Sequence, residues 1–218
     1  IDPRPEAEAD FARFLAGAWP DLVTLGLANG EPPRANFRTT SAGLDGVTFV
    51  QECAPARIEA KRAVVADLEA VLAPDTLIAS STSSLLARDI QAGARHPGRI
   101  LVGHPMNPPH LVPMVELVAG RLTAPEAMDR AEAFYRAMRR VTIRVKREMV
   151  GHLANRLTAA LYREAVHVVA EGIASVADVD RAIAYGPGMR WALMGPHLVY
   201  HLGGGAGGYR HYLDHLGP

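Results

Sequence analysis

Arg99-Ile-Leu-Val-Gly-His104-Pro-Met-Asn107-Pro-Pro-His-Leu-Val-Pro-Met-Val-Glu116-Leu-Val118 is the stretch on which the architecture turns. The branched apolar run at 100–102 has the composition of a strand buried on both faces, as in a parallel sheet covered by helices. Gly103 and His104 end that run, and Asn107-Pro108-Pro109 forbids helix and forces a turn. A second apolar run, 111–118, carries Glu116 inside it. A carboxylate in a buried strand has to be paired or protonated, and the nearest partner is His104. Ligands of open parallel sheets bind beyond the carboxyl ends of the strands, which is where His104 falls. By itself His104 also suits a hydrogen-bonded strand end. With a carboxylate to orient it, the imidazole becomes a general base.

The rest of the chain supports a sheet with helices between its strands. Ile1-Asp2 reads as the tail of a strand, followed by a helix from Pro5 with Phe11, Phe14 or Leu15, Ala18 and Leu22 at helical spacing. Glu6, Glu8 and Asp10 suit the positive end of that helix. A loop at 29–33 leads to a short strand at 37–40 and a buried strand at 47–50 that ends in Gln51 and Glu52. A helix follows Pro55, with Ile58, Val65, Leu68 and Leu72 on its apolar face and Glu59, Lys61, Arg62 and Glu69 largely elsewhere. Strands at 76–79 and 141–145 bracket the central stretch and a helix from Pro125. Strands alternating with helices imply an α/β class with a largely parallel sheet, and Glu52, the serines at 80–84 and His104 then share one edge.

Beyond residue 146 the texture becomes helical. An amphipathic helix is expected at 151–171, then a capping box Ser175-Val-Ala-Asp178 opening a helix that stops at Gly186, then helices around a glycine-rich loop. The expected organisation is 1–146 as an α/β domain and 147–218 as a small all-helical one. Asn155, in the first turn of the long helix, falls near their junction, where ligand clefts concentrate.

Composition narrows the function. The 218 residues suffice for a sizeable core, 49% are apolar, and 23 basic residues balance 23 acidic ones. No basic excess points to nucleic acid or an anionic membrane, and no apolar run approaches the ~20 residues of a membrane span. A lone cysteine, Cys53, excludes an internal disulfide, so a reducing cytoplasmic setting is the default. The chain opens Ile1-Asp2-Pro3 with neither methionine nor signal peptide, which is expected of a fragment.

Rival motifs carry less. No Gly-x-Ser-x-Gly elbow supports a hydrolase, and His201, His211 and His215 lack the His-Glu-x-x-His pattern of a zinc site. Gly203 to Gly208 matches Gly-x-Gly-x-x-Gly formally but lies in the helical region, so it is read as a flexible connector. Trp191, Tyr200, Tyr209 and Tyr212 suit core or subunit contacts, or an aromatic wall for a cationic substrate. Most of the serines at 80–84 suit turn and capping chemistry.

Taken together, Ser-Thr-Ser83-Ser, Gly-His104-Pro-Met-Asn107-Pro, Val-Glu116-Leu-Val and Asn155-Arg-Leu resemble the 3-hydroxyacyl-CoA dehydrogenase family in order and spacing. The resemblance implies a Rossmann-like, doubly wound NAD-binding domain and a helical C-terminal domain that forms a homodimer. It implies His104 as the base that takes the C3 hydroxyl proton, Glu116 as its support, and Ser83 and Asn155 as contacts to the substrate oxygen. Asp2, Glu52, Lys61, Ser83 and Asn107 match positions near NAD, whereas Ala56 stands where the family often has a second acid. Asp2 resembles the acid that follows the family's glycine fingerprint, so the first strand and phosphate-binding turn are expected to precede this chain. Without them, NAD binding by the chain as written is expected to be weak.

Residues 186–196 and the glycine-rich tail resemble the branch that holds carnitine and gulonate dehydrogenases and lambda-crystallin. The substrate this implies is a 3-hydroxyacyl-CoA or a small free 3-hydroxy acid, carnitine- or gulonate-like, and the acidic first helix, where CoA-using relatives carry lysines, favours the free acid. A crystallin-like structural role is the alternative.

Overall fold

A computed structural model describes residues 1–216. The chain divides into two compact units, Ile1–Arg156 and a second from Leu157 onward.

In the first unit, α1 (Ala7–Thr24) opens on Glu8 and Asp10 and buries Ala7 and Ala18. The expected apolar face is half open: Phe11 and Phe14 are 40% and 51% exposed, set edge-on to Phe37 and His110 respectively. The strands expected at 1–2 and 37–40 do not form. A single bond from the Asp2 N–H to the Arg38 carbonyl, 3.0 Å, stands where a ladder would need a repeating pattern.

The sheet is built from β1 (Phe49–Glu52), β2 (Leu77–Ser80), β3 (Ile100–Pro105), β4 (Met114–Ala119) and β5 (Val141–Val145), in that spatial order. β1, β2 and β3 run parallel, β4 is antiparallel to β3, and β5 is parallel to β4. β1 thus takes in Gln51 and Glu52, with the two residues before Phe49 left outside it.

Alternation along the strands feeds two cores. On one face Leu77, Ala79, Leu101, Val115 and Leu117 pack with Met128, Ala131 and Tyr135 of α4 (Pro125–Ala137). On the other, Ile78 and Ile100 meet Val65 and Leu68 of α2 (Ile58–Glu69) and Ile90 of α3 (Ala87–Gln91), a short helix the sequence pattern did not announce. Helices on both faces of a mostly parallel sheet make the fold doubly wound and Rossmann-like.

α5 (Ala154–Ala170) starts in the first unit, and the second consists of its continuation with α6 (Val176–Tyr185), α7 (Pro187–Trp191), α8 (Pro196–Gly203) and α9 (Gly208–Leu216). Ser175 caps α6, its hydroxyl oxygen accepting from the Asp178 N–H at 3.2 Å. The glycine run is a close-packed turn between α8 and α9: a Cβ on Gly204 would lie 1.8 Å from the Gly208 carbonyl oxygen. Among the described residues no helix is long and apolar enough to cross a membrane.

Candidate active site

β3 and β4 form one antiparallel pair in which His104 and Glu116 stand directly opposite each other. Side chains opposite in such a pair lie close enough to bond. The His104 Nδ1–H donates to Glu116 Oε2 at 2.9 Å, since a carboxylate can only accept. Glu116 is fully buried, and its other oxygen, Oε1, accepts from the backbone N–H groups of Leu153 and Ala154 at 2.8 and 2.9 Å. Three donors thus compensate for burial of this carboxylate. With its Nδ1 carrying the hydrogen, His104 presents a lone pair on Nε2, and the residue as a whole is 7% exposed.

The same turn brings in the other expected substrate contacts. Asn155 is the second residue of α5, and its Nδ2 reaches the Ser83 carbonyl at 3.5 Å. Ser83 itself is exposed. It follows Thr82, whose hydroxyl oxygen accepts from the Leu85 N–H at 3.0 Å and so shapes the serine loop. A chain of contacts therefore runs from His104 through Glu116 and residues 153–155 to Ser83. Asn107 sits exposed on the turn after β3.

Sequence reasoning did not single out His152. This residue is 1% exposed, sits at φ 49°, and lies with its ring centroid 5.3 Å from that of His104. Its Nε2–H donates to the Thr82 carbonyl at 2.8 Å. The available signal was a histidine between Gly151 and the apolar start of a helix, a place where a left-handed turn is common.

Glu52 and Lys61 are spent on each other. Lys61 Nζ donates to both Glu52 oxygens, at 3.0 and 2.8 Å, and to the Ala54 carbonyl at 3.0 Å. Ser80, opposite Glu52 in the β1–β2 register, also donates to that carboxylate. Lys61 is 1% exposed, not on the solvent side where the helical pattern would leave it. The pair closes the carboxyl ends of β1 and β2 from within.

Asp2 faces a cleft of about 880 Å³ along β1, with Val50, Glu52, Pro55, Val64 and Leu68 also in its lining. Its carboxyl group lies below the usual range, first because the Arg4 side chain hydrogen-bonds it and then because the Arg4 N–H does. A largely apolar cleft beside β1 with a half-buried carboxylate, Asp2, on its rim fits the nucleoside half of a dinucleotide.

A doubly wound sheet with an imidazole–carboxylate pair across β3 and β4 and a nucleoside-sized cleft along β1 has the make-up of a dinucleotide-binding α/β protein. Residues 30–149 match the model of the 3-hydroxyacyl-CoA dehydrogenase NAD-binding domain and 151–218 that of its C-terminal domain; the chain belongs to the 3-hydroxyacyl-CoA dehydrogenase family. Over 100% of its length it is 48% identical to the L-carnitine dehydrogenase of Streptomyces griseus, covering 65% of that protein. The chain thus spans about two thirds of the length of the curated relatives it matches. Among solved structures, 5-formyl-3-hydroxy-2-methylpyridine 4-carboxylic acid 5-dehydrogenase superposes with a TM-score of 0.87 at 30% identity, over 99% of this chain and 70% of that one. The 3-hydroxybutyryl-CoA dehydrogenase of Escherichia coli gives 0.74 at 27% identity, over 92% and 43%.

Proposed function

We propose that this protein is an NAD-dependent oxidoreductase that converts the C3 hydroxyl of a small 3-hydroxy acid to a ketone. The observation that carries the reading is the 2.9 Å bond between His104 and the buried Glu116. The Nε2 lone pair of His104 takes the hydroxyl proton, and Glu116 offsets the charge that then develops on the ring. Because Glu116 is already fixed by two backbone N–H groups, little reorganises as that charge appears. NAD, when bound, supplies the hydride acceptor. Ser83 and Asn155 contact the substrate oxygen. Asp2 faces the adenosine ribose, while Asn107, Ser83 and the Glu52–Lys61 pair border the cofactor site.

Carnitine is the first substrate to try. The Streptomyces griseus relative named above is an L-carnitine dehydrogenase, and the first helix opens on Glu8 and Asp10, a poor surface for the phosphates of CoA. In this reading residues 1–146 bind NAD, and 147–218 serve substrate binding and homodimer contact. Supporting the second assignment, α5 buries no residue within the chain and leaves Leu157 and Tyr162 60% and 70% exposed.

The test uses the full-length protein at saturating NAD and follows the absorbance of reduced cofactor at alkaline pH with carnitine, gulonate, 3-hydroxybutyrate and its CoA ester. His104→Gln should lose about 10²–10⁴-fold in kcat with the fold intact. Normal turnover by that variant would overturn the assignment of the base.

A further inference from the structure

We propose that His152 is a positioning residue for the reacting pair, acting through its Nε2–H on the Thr82 carbonyl; the inference rests on the dehydrogenase reading above. The 2.8 Å bond joins two pieces of backbone that the site needs in register. On one side lies Thr82, followed directly by Ser83. On the other, the two residues after His152 are Leu153 and Ala154, whose N–H groups hold Glu116 and through it the ring of His104. Asn155, next in line, reaches back to the Ser83 carbonyl. His152 thus ties the two arms of the site together at a point where its own ring is 5.3 Å from that of His104.

The choice of an imidazole there is informative. A carbonyl can only accept, so Nε2 carries the hydrogen and Nδ1 a lone pair. That Nδ1 is buried and has no hydrogen-bond partner among the described residues. An orphaned buried acceptor is unfavourable, and a hydrocarbon side chain would fill the site without one. What the imidazole adds is the hydrogen bond to Thr82. The residue also holds φ 49°, a conformation a side chain adopts at a cost, so the tie fixes a backbone that would otherwise relax.

The experiment compares wild type with His152→Phe, which puts a somewhat larger aromatic ring without an N–H in its place, and His152→Gln, whose amide nitrogen reaches the place of Nε2. Both carry the same backbone demand. Hydrogen exchange at the Leu153 and Ala154 amides is read by NMR beside the steady-state kinetics. The Phe variant should exchange those amides at least tenfold faster, and its kcat should fall by roughly ten- to a hundredfold with KM within about twofold. The Gln variant should recover most of both. Equal, wild-type behaviour of the Phe variant, or a Gln variant as impaired as Phe, would overturn the proposal. If the Phe variant fails to fold, the Gln variant decides alone: native exchange at the two amides supports the tie and accelerated exchange rejects it. Wild type inactive on every 3-hydroxy acid would count against the functional reading, with the exchange rates still judging His152.

Discussion

The hydroxyl of Tyr135 occupies the space that a side chain at position 103 would need: a Cβ on Gly103 would lie 2.2 Å from that oxygen and 3.1 Å from the Ala79 Cβ. Tyr135 cannot swing aside cheaply. It is 3% exposed in the core between α4 and the sheet, and it donates to Gln51 Oε1. Burial holds its phenol far above the usual range, so it remains a donor. Gln51 in turn donates to the Gly103 carbonyl at 3.0 Å, one residue before His104. Gly103→Ala should therefore destabilise by about 1–3 kcal/mol through overpacking. Adding Tyr135→Phe removes the clashing oxygen and should restore part of that loss. Chemical denaturation of the four proteins of the cycle checks it, and strict additivity would contradict it.

Glu116→Gln keeps the size of the side chain but removes the negative charge and one of the two acceptor oxygens. The ring would then meet its proton without an opposing carboxylate. An expected fall in kcat of about 10²–10⁴-fold, with substrate KM little changed, follows from loss of a transition-state interaction. Steady-state kinetics check it, and a variant that changes KM alone would assign Glu116 to binding. If the glutamine's one oxygen stays with the two backbone N–H groups that Oε1 holds, the turn at 152–154 should keep its place and the amide NH2 then faces His104 Nδ1, which imposes the wrong tautomer on the base.

The pairing of His104 with Glu116 was legible because an acid in an apolar run has few ways to be satisfied. Their direct opposition was not, since nothing in the spacing tells an antiparallel return from a crossover. Lys61 was misread for a related reason. Helical periodicity set it off the face of Ile58, Val65 and Leu68, yet the end of β1 reaches it there and Glu52 offsets its burial. α3 is too short to show a period, with five residues between two glycine- and serine-rich loops. His152 escaped notice because its role depends on a left-handed backbone and on a carbonyl seventy positions away in sequence.

Lys61 and Glu52 form an ion pair in which both side chains are 1% exposed. Removing one partner leaves the other charged and buried. Lys61→Met should lower stability by about 3–5 kcal/mol, a fall in Tm of roughly 10 °C for a chain of this size. Glu52→Gln combined with Lys61→Met leaves no unpaired charge and should be milder than Lys61→Met alone. Calorimetry on the single and double variants tests this, and a double variant as damaged as the sum of its parts would show that the charges do not interact.

The clamp between α4 and β5 makes stability depend on acid. Arg144 Nε donates to Glu132 Oε2 at 2.8 Å, and Thr142 and Arg136 engage Oε1. The Arg144 hydrogen bond, ahead of all other causes, holds the Glu132 carboxyl below its usual range. A carboxyl whose folded value is depressed binds protons more readily when unfolded, so its contribution is complete above the unfolded value and is lost as pH falls through the folded one. Melting temperature should therefore drop as pH falls from about 4.5 downward, the ordinary range for a free glutamate. Glu132→Gln should start lower near neutrality and show a flatter decline over that window. Because the clamp is open to solvent, salt should shrink the difference between the two proteins. Parallel curves for wild type and variant from pH 6 to pH 3 would mean that Glu132 takes no part in the acid response.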